Sequence, residues 1–178
     1  MIFSLFRRSP TQDIIDVLYG AIVAQGRSPV FYSAYGVPDT LTGRLEMILI
    51  HTFLFFRRTR AGPEALRRLG QAVFDRFCDD MDGNLREMGI GDLAVPKHMQ
   101  RIGEAFYGRA GVYDAALNTR DEAALAQALT RNVFAGAAQR EFGQRLAGYI
   151  TATDAELARA ADDNLMQGRI TFPNPEAV

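Results

Sequence analysis

Residues 45–58 read LEMILIHTFLFFRR, and this run decides the fold. It is apolar nearly all round, so it has no face suited to water. A membrane span needs roughly 20 apolar residues. Arg44 and Glu46 cut the run on one side, and Arg57-Arg58 cut it on the other. The run therefore reads as the central buried helix of a bundle, with amphipathic helices arranged around it.

The flanking segments carry the matching pattern. Upstream, Ile14, Ile15, Leu18, Ile22 and Val23 recur at spacings of three and four, predicting a helix from near Thr11. Gly20 within it marks an expected close crossing of helices, and Gly26 its end. Ser28-Pro29 reads as a cap and first-turn proline. The short helix that follows carries Phe31, Tyr32 and Tyr35 and stops at Gly36. Val37-Pro38-Asp39-Thr40 is a turn that ends in a cap at Asp39 or Thr40.

Downstream, a long helix is predicted over residues 63–87, with Leu66, Leu69, Val73, Phe77, Met81, Leu85 and Met88 inward. Gly89 and Gly91 end it through a left-handed cap. Leu93 is also expected inside. Pro96 opens another helix with Met99, Ile102 and Phe106 inward, which runs toward a break at Asn118-Thr119. A helix from near Asp121 carries Leu125, Leu129 and Val133. After Gly136, Phe142 and Leu146 mark another. Thr153-Asp154 with Ala155-Glu156 reads as the cap of a last helix, which stops at Gly168. The expectation is an all-α domain of six to eight helices over residues 11–168. Residues 1–10 form an N-terminal segment, and residues 169–178 an extended or disordered tail.

Composition sets further bounds. At 178 residues one domain is the default, with a core large enough to need neither metal nor disulfide. The net charge of −1 gives no global attraction to nucleic acid, so DNA is not an expected partner. Cys78 stands alone, which excludes an internal disulfide. MIFSLF, followed at once by RRSPTQD, is too short for a secretory signal.

The stretch FCDDMDGNLREMGIGDLAVPKHM, residues 77–99, carries the densest polar pattern. Asp80, Asp82 and Asn84 fit the first ligand positions of a calcium loop, but Leu85 and Gly91 stand where that loop needs glycine and glutamate. Gly89-Ile90-Gly91-Asp92-Leu93-Ala94 matches a dinucleotide fingerprint only in letters, because a helix rather than a strand precedes it. His51, His98 and one cysteine do not make a zinc site. No cofactor is expected. His51, on the most hydrophobic helix, reads as a neutral core histidine with its ring N–H satisfied. Cys78 lies beside Asp79 and Asp80, a setting that raises a thiol pKa and argues against a nucleophile. No catalytic residue is assigned.

Two segments read as partner-facing. In residues 31–44, FYSAYGVPDTLTGR, the amphipathic rings of Tyr32 and Tyr35 flank a stiff turn. In the second, Asp79, Asp80, Asp82, Asn84, Arg86 and Glu87 form a polar helical end. Arg57, Arg58 and Arg60 with Arg67 and Arg68 make a basic cluster. It suits either solvent or an anionic partner such as lipid headgroups, ribosomal RNA or an acidic protein loop. Arg7-Arg8, after Phe3 and Phe6, could add a weak membrane-surface contact.

The blocks YGAIVAQGRSPVFY, YGVPDTLTGRLEMILIH, FDRFCDDMDGNLREMGIGDLAVPKHM, EAFYGR and LTRNVF together resemble the ubiquinol–cytochrome c chaperone family. These are assembly factors for the respiratory bc1 complex. The resemblance covers most of residues 19–134 and implies a non-enzymatic factor that binds newly made cytochrome b. It also implies association with a small helical partner and with the ribosome, as in mitochondrial relatives. A bacterial version would be cytoplasmic, with peripheral contact at the inner membrane. Tyr35, Gly36, Pro38, Asp39 and Arg44 fall in one family block. Asp79, Asp80, Met81, Asp82, Asn84, Leu85, Arg86, Gly89, Asp92, Val95 and Pro96 fall in the other. Gly83 departs from the larger polar residue expected there. Two other classes stay open. One is a helical-bundle enzyme holding magnesium between Asp79, Asp80, Asp82 and Asp162-Asp163. The other is a ribosome- or RNA-binding module resting on the arginines.

Overall fold

The computed structural model describes residues 10–134 and 140–178. Arg7-Arg8 and the expected break at Gly136 lie outside them. The described residues form eight helices and no strand. These are α1 (Pro10–Gly26), α2 (Pro29–Ser33), α3 (Leu41–Arg60), α4 (Glu64–Glu87), α5 (Val95–Thr119), α6 (Glu122–Asn132), α7 (Arg140–Arg159) and α8 (Asp162–Met166).

The run that opened the sequence reading is the axis of the bundle. In α3, every residue from Glu46 to Phe55 is buried. The helix packs against α1, α4, α5 and α7. No described helix is long and apolar enough to cross a membrane. Thr40 caps α3 by accepting from the backbone N–H of Gly43 at 3.1 Å. Asp121 caps α6 by accepting from Ala124 N–H at 2.8 Å. The α4 stripe is buried at Leu66, Leu69, Val73, Phe77 and Met81, as its spacing predicts.

Four expectations need correction. Gly20 is exposed and faces open space, so no helix crosses there. The close crossing is at Gly26, where an added Cβ would stand 3.2 Å from the α3 backbone at Met47 and Ile48. Thr153 starts no helix. Its hydroxyl donates to Tyr149 O at 2.8 Å inside α7, a bond that lets threonine sit mid-helix. The chain breaks instead around Ala160-Ala161. Met88 and Leu93, expected inside, are 59% and 100% exposed. The tail is extended and docked. Phe172 packs on His51 with ring centroids 5.4 Å apart, and Pro173 O accepts from Gln25 at 3.1 Å.

The arginine cluster is largely consumed by the fold. Arg57 on α3 pairs with Asp114 on α5 and with Asp154 on α7, the latter at 2.9 Å. Arg58 donates to Leu157 O and Ala160 O at 2.9 and 2.7 Å, satisfying carbonyls at the end of α7, and it also pairs with Asp162. Arg60 adds a second bond to Asp114. Arg60, Arg67 and Arg68 are exposed, and the last two lie beside Glu64.

Candidate partner-binding site

The two segments read as partner-facing come to the same end of the bundle. α3 and α4 are joined by three residues and pair antiparallel, with Phe56 against Phe74 at 5.9 Å. The start of α3 and the end of α4 therefore lie at one end.

At the start of α3, the turn folds back tightly. Thr40 N–H donates to Pro38 O at 2.8 Å. An added Cβ on Gly43 would stand 2.0 Å from that same oxygen, so only glycine fits. Arg44 donates to Asp39 at 2.6 Å and lies 5.9 Å from the Tyr32 ring. That hydrogen bond from Arg44 holds the Asp39 carboxyl below its ordinary range. Tyr32 donates to Gly26 O at 2.8 Å. Tyr32, Pro38, Asp39 and Arg44 thus form one exposed to half-exposed patch.

Tyr35 does not join it. Its ring is fully buried, and its hydroxyl donates to Pro175 O at 2.8 Å. Arg145 on α7 covers it, with the guanidinium 4.5 Å from the ring centroid and a 2.7 Å bond to Ala34 O. The sequence carries no local signal for this arginine, which is remote in the chain. Gly36 has φ +68° and lies beneath the Phe142 ring.

The buried ring of Tyr35 belongs to a cluster with Phe31, His51 and Tyr149. Phe31 stands 5.4 Å from Tyr35 and 4.9 Å from Tyr149. Burial lowers His51 to about 4, so its imidazole is neutral. Its Nδ1–H donates to Met47 O at 2.7 Å, and its Nε2 accepts from the Tyr149 hydroxyl at 2.9 Å. Gln25 completes the chain by donating to Tyr149 Oη at 2.9 Å. This is the core histidine that the sequence implied. Glu46 is the other buried titratable group on α3. Desolvation raises it to about 7, although Arg109 on α5 lies 2.7 Å away.

The end of α4 is the second patch. Asp80 accepts from Tyr19 on α1 at 2.8 Å, and Asn84 donates to Asp80 O at 2.7 Å. Arg76 joins Asp16 at 3.0 Å, locking α4 to α1. An open groove of about 750 Å³ runs between these helices, lined by Asp16, Tyr19, Arg27, Arg76, Asp80 and Asn84. Arg86 pairs with both Asp82 and Asp92, clasping the turn onto the helix. Asp79 and Glu87 are exposed and make no ion pair among the described residues. Cys78 is half-buried, and its thiol is raised first by burial and then by Asp75 and Asp79.

The magnesium arrangement is not assembled. Asp80 and Asp82 are tied to Tyr19 and Arg86, and Asp162 is tied to Arg58 at the far end of α3. Among the described residues, no three His, Cys, Asp or Glu side chains converge on a metal position.

The model of the family described as "Ubiquinol-cytochrome C chaperone" matches residues 33–172. The chain belongs to that family. The chaperone is also similar throughout to a solved structure, the crystal structure of the Cbp3 homolog from Brucella abortus. The two share 39% identity, with 100% of this chain and 99% of that chain covered and a TM-score of 0.89. No curated protein matches the chain. As a member of a chaperone family, the chain is non-enzymatic.

Proposed function

We propose that this chain promotes assembly of the bc1 complex by binding newly made cytochrome b at the cytoplasmic face of the inner membrane. The observation that carries this reading is the family match over residues 33–172, with the fold kept along the whole chain. Its contact surface is the end of the bundle where Tyr32, Pro38, Asp39 and Arg44 meet Asp79, Asp82, Asn84, Arg86 and Glu87. Gly36 shapes the turn, and Asp80 positions α4 against α1. Tyr35 supports this surface from below, because its ring is buried.

The test is site-specific photocrosslinking in cells from positions 44 and 82, with cytochrome b tagged. Adducts to cytochrome b, together with loss of bc1 complex on gene deletion, are expected. Unchanged bc1 levels after deletion would overturn the reading. Adducts only to ribosomal components would replace the client with the translation machinery.

A further inference from the structure

The apolar stripe of α4 runs on past its buried part. Gly70 of α4 packs directly on Thr59 of α3, so the end of α4 lies about level with the start of α3. The last buried residue of α4 is Met81. Beyond it, Val95 is the only buried residue until Phe106 on α5. Met99 and Ile102 pack against the core, but the tip between them and Met81 leaves an apolar set uncovered. Met88 is 59% exposed and Leu93 is 100% exposed, while Leu85 and Ile90 are half-buried.

The tip is nonetheless well formed. Gly89 has φ +82°, Ile90 N–H donates to Leu85 O at 3.1 Å, and Ala94 N–H to Gly91 O at 2.8 Å. Arg86 fastens Asp92 to Asp82 across the turn. A well-formed turn that exposes both Met88 and Leu93 is a candidate contact surface.

Charge identifies the partner. From Asp79 to Asp92 the chain carries five carboxylates, Asp79, Asp80, Asp82, Glu87 and Asp92, against the single Arg86. Arg76 on α4 pairs with Asp80, and Lys97 and Arg101 are on α5, so Asp79 and Glu87 leave the α4 side of the tip acidic. An anionic lipid surface is repelled by this rim. A second copy would set acid against acid. A membrane-destined segment has the opposite make-up, an apolar run with Lys or Arg at its cytoplasmic flank.

We infer that the α4–α5 tip is a docking surface for an apolar segment with a basic flank, Met88 and Leu93 taking the apolar run and Asp79 and Glu87 the cations. The inference rests on the chaperone reading and names the chemistry of its client.

The test uses the purified full chain and two labelled peptides with the same leucine–alanine body, one ending in lysines and the other in glutamates. The lysine peptide binds at least about tenfold tighter, and added salt narrows the gap. Met88→Ser with Leu93→Ser weakens the lysine peptide at least about tenfold with helix content unchanged. Asp79→Asn with Glu87→Gln brings the two peptides together in affinity. Equal binding of both peptides, or full affinity in the serine variant, would overturn the inference. So would a native dimer that the serine variant dissolves, or preferential binding to vesicles of anionic lipid. In a deletion strain, a serine variant that restores bc1 as well as the native gene sinks only this inference. A deletion that leaves bc1 unchanged sinks the chaperone reading itself.

Discussion

Around His51, two histidine nitrogens, a tyrosine hydroxyl and a glutamine amide are all hydrogen-bonded, and Phe31, Tyr35 and Tyr149 are fully buried among them. At the α4–α5 tip, Leu93 is wholly in water and Met88 more than half so. Both regions are rich in large apolar residues, yet one has spent them on packing and the other has not. The difference teaches where stability and recognition are kept apart. The cluster joins α2, α3, α7 and the tail, so changing it loosens much of the molecule. The tip is held by its own turn and by Arg86, so its apolar side chains can change with little effect on the fold.

The largest expected effect is on the packed side. Phe31→Ala empties a site lined by Tyr35, His51 and Tyr149 and should cost about 3–5 kcal/mol in urea unfolding. A loss below about 1 kcal/mol would mean that the cluster collapses easily and that the contrast with the tip is overstated.

Next comes a pH effect inside the packed region. Glu46 sits at about 7, above its ordinary 4.5, so the folded chain holds its proton more tightly and loses stability as pH rises through that window. His51 sits at about 4, below its ordinary 6.5, so its contribution is lost as pH falls through that range. The two slopes oppose each other where the windows overlap. Glu46→Gln removes one of them. Relative to the native chain, its stability should then drop by on the order of 2–3 kcal/mol from neutral pH to the acid end of the window. Parallel pH curves for the two chains would show that Arg109 screens Glu46 far better than its geometry suggests.

The smallest effect belongs to the tip. Met88→Ser with Leu93→Ser should change unfolding free energy by no more than about 0.5 kcal/mol, as exposed substitutions do. A loss of about 2 kcal/mol would place these side chains in the core after all and erase the comparison.

Much of the fold was legible in local sequence. The burial of residues 45–58, the Thr40 and Asp121 caps, the α4 stripe as far as Met81, and the neutral core role of His51 all follow from signals within a few residues. The misreadings share one cause. Leu85, Met88 and Leu93 continue an apolar pattern, but periodicity says only which residues share a face, and burial of that face stops at Met81. Thr153 has the letters of a cap but bonds back to Tyr149 within a continuing helix. Tyr35 stands beside a rigid turn as interface tyrosines do, yet Arg145 and the tail close over it from more than a hundred residues away. The arginines of α3 read as a surface patch because their partners Asp114, Asp154 and Asp162 are also far away in the chain.

The sequence by itself determined the helices, their caps, the central buried segment and the family, because each depends on residues close together in the chain or on whole blocks of matched residues. Tertiary structure alone decided which apolar faces are covered, which arginines are spent and which tyrosine is available. Those outcomes depend on which distant elements pack over each face, a sum over the whole chain that no short window contains. The end of α4 is the plainest case, since a stripe written like core is buried as far as Met81 and exposed at Met88.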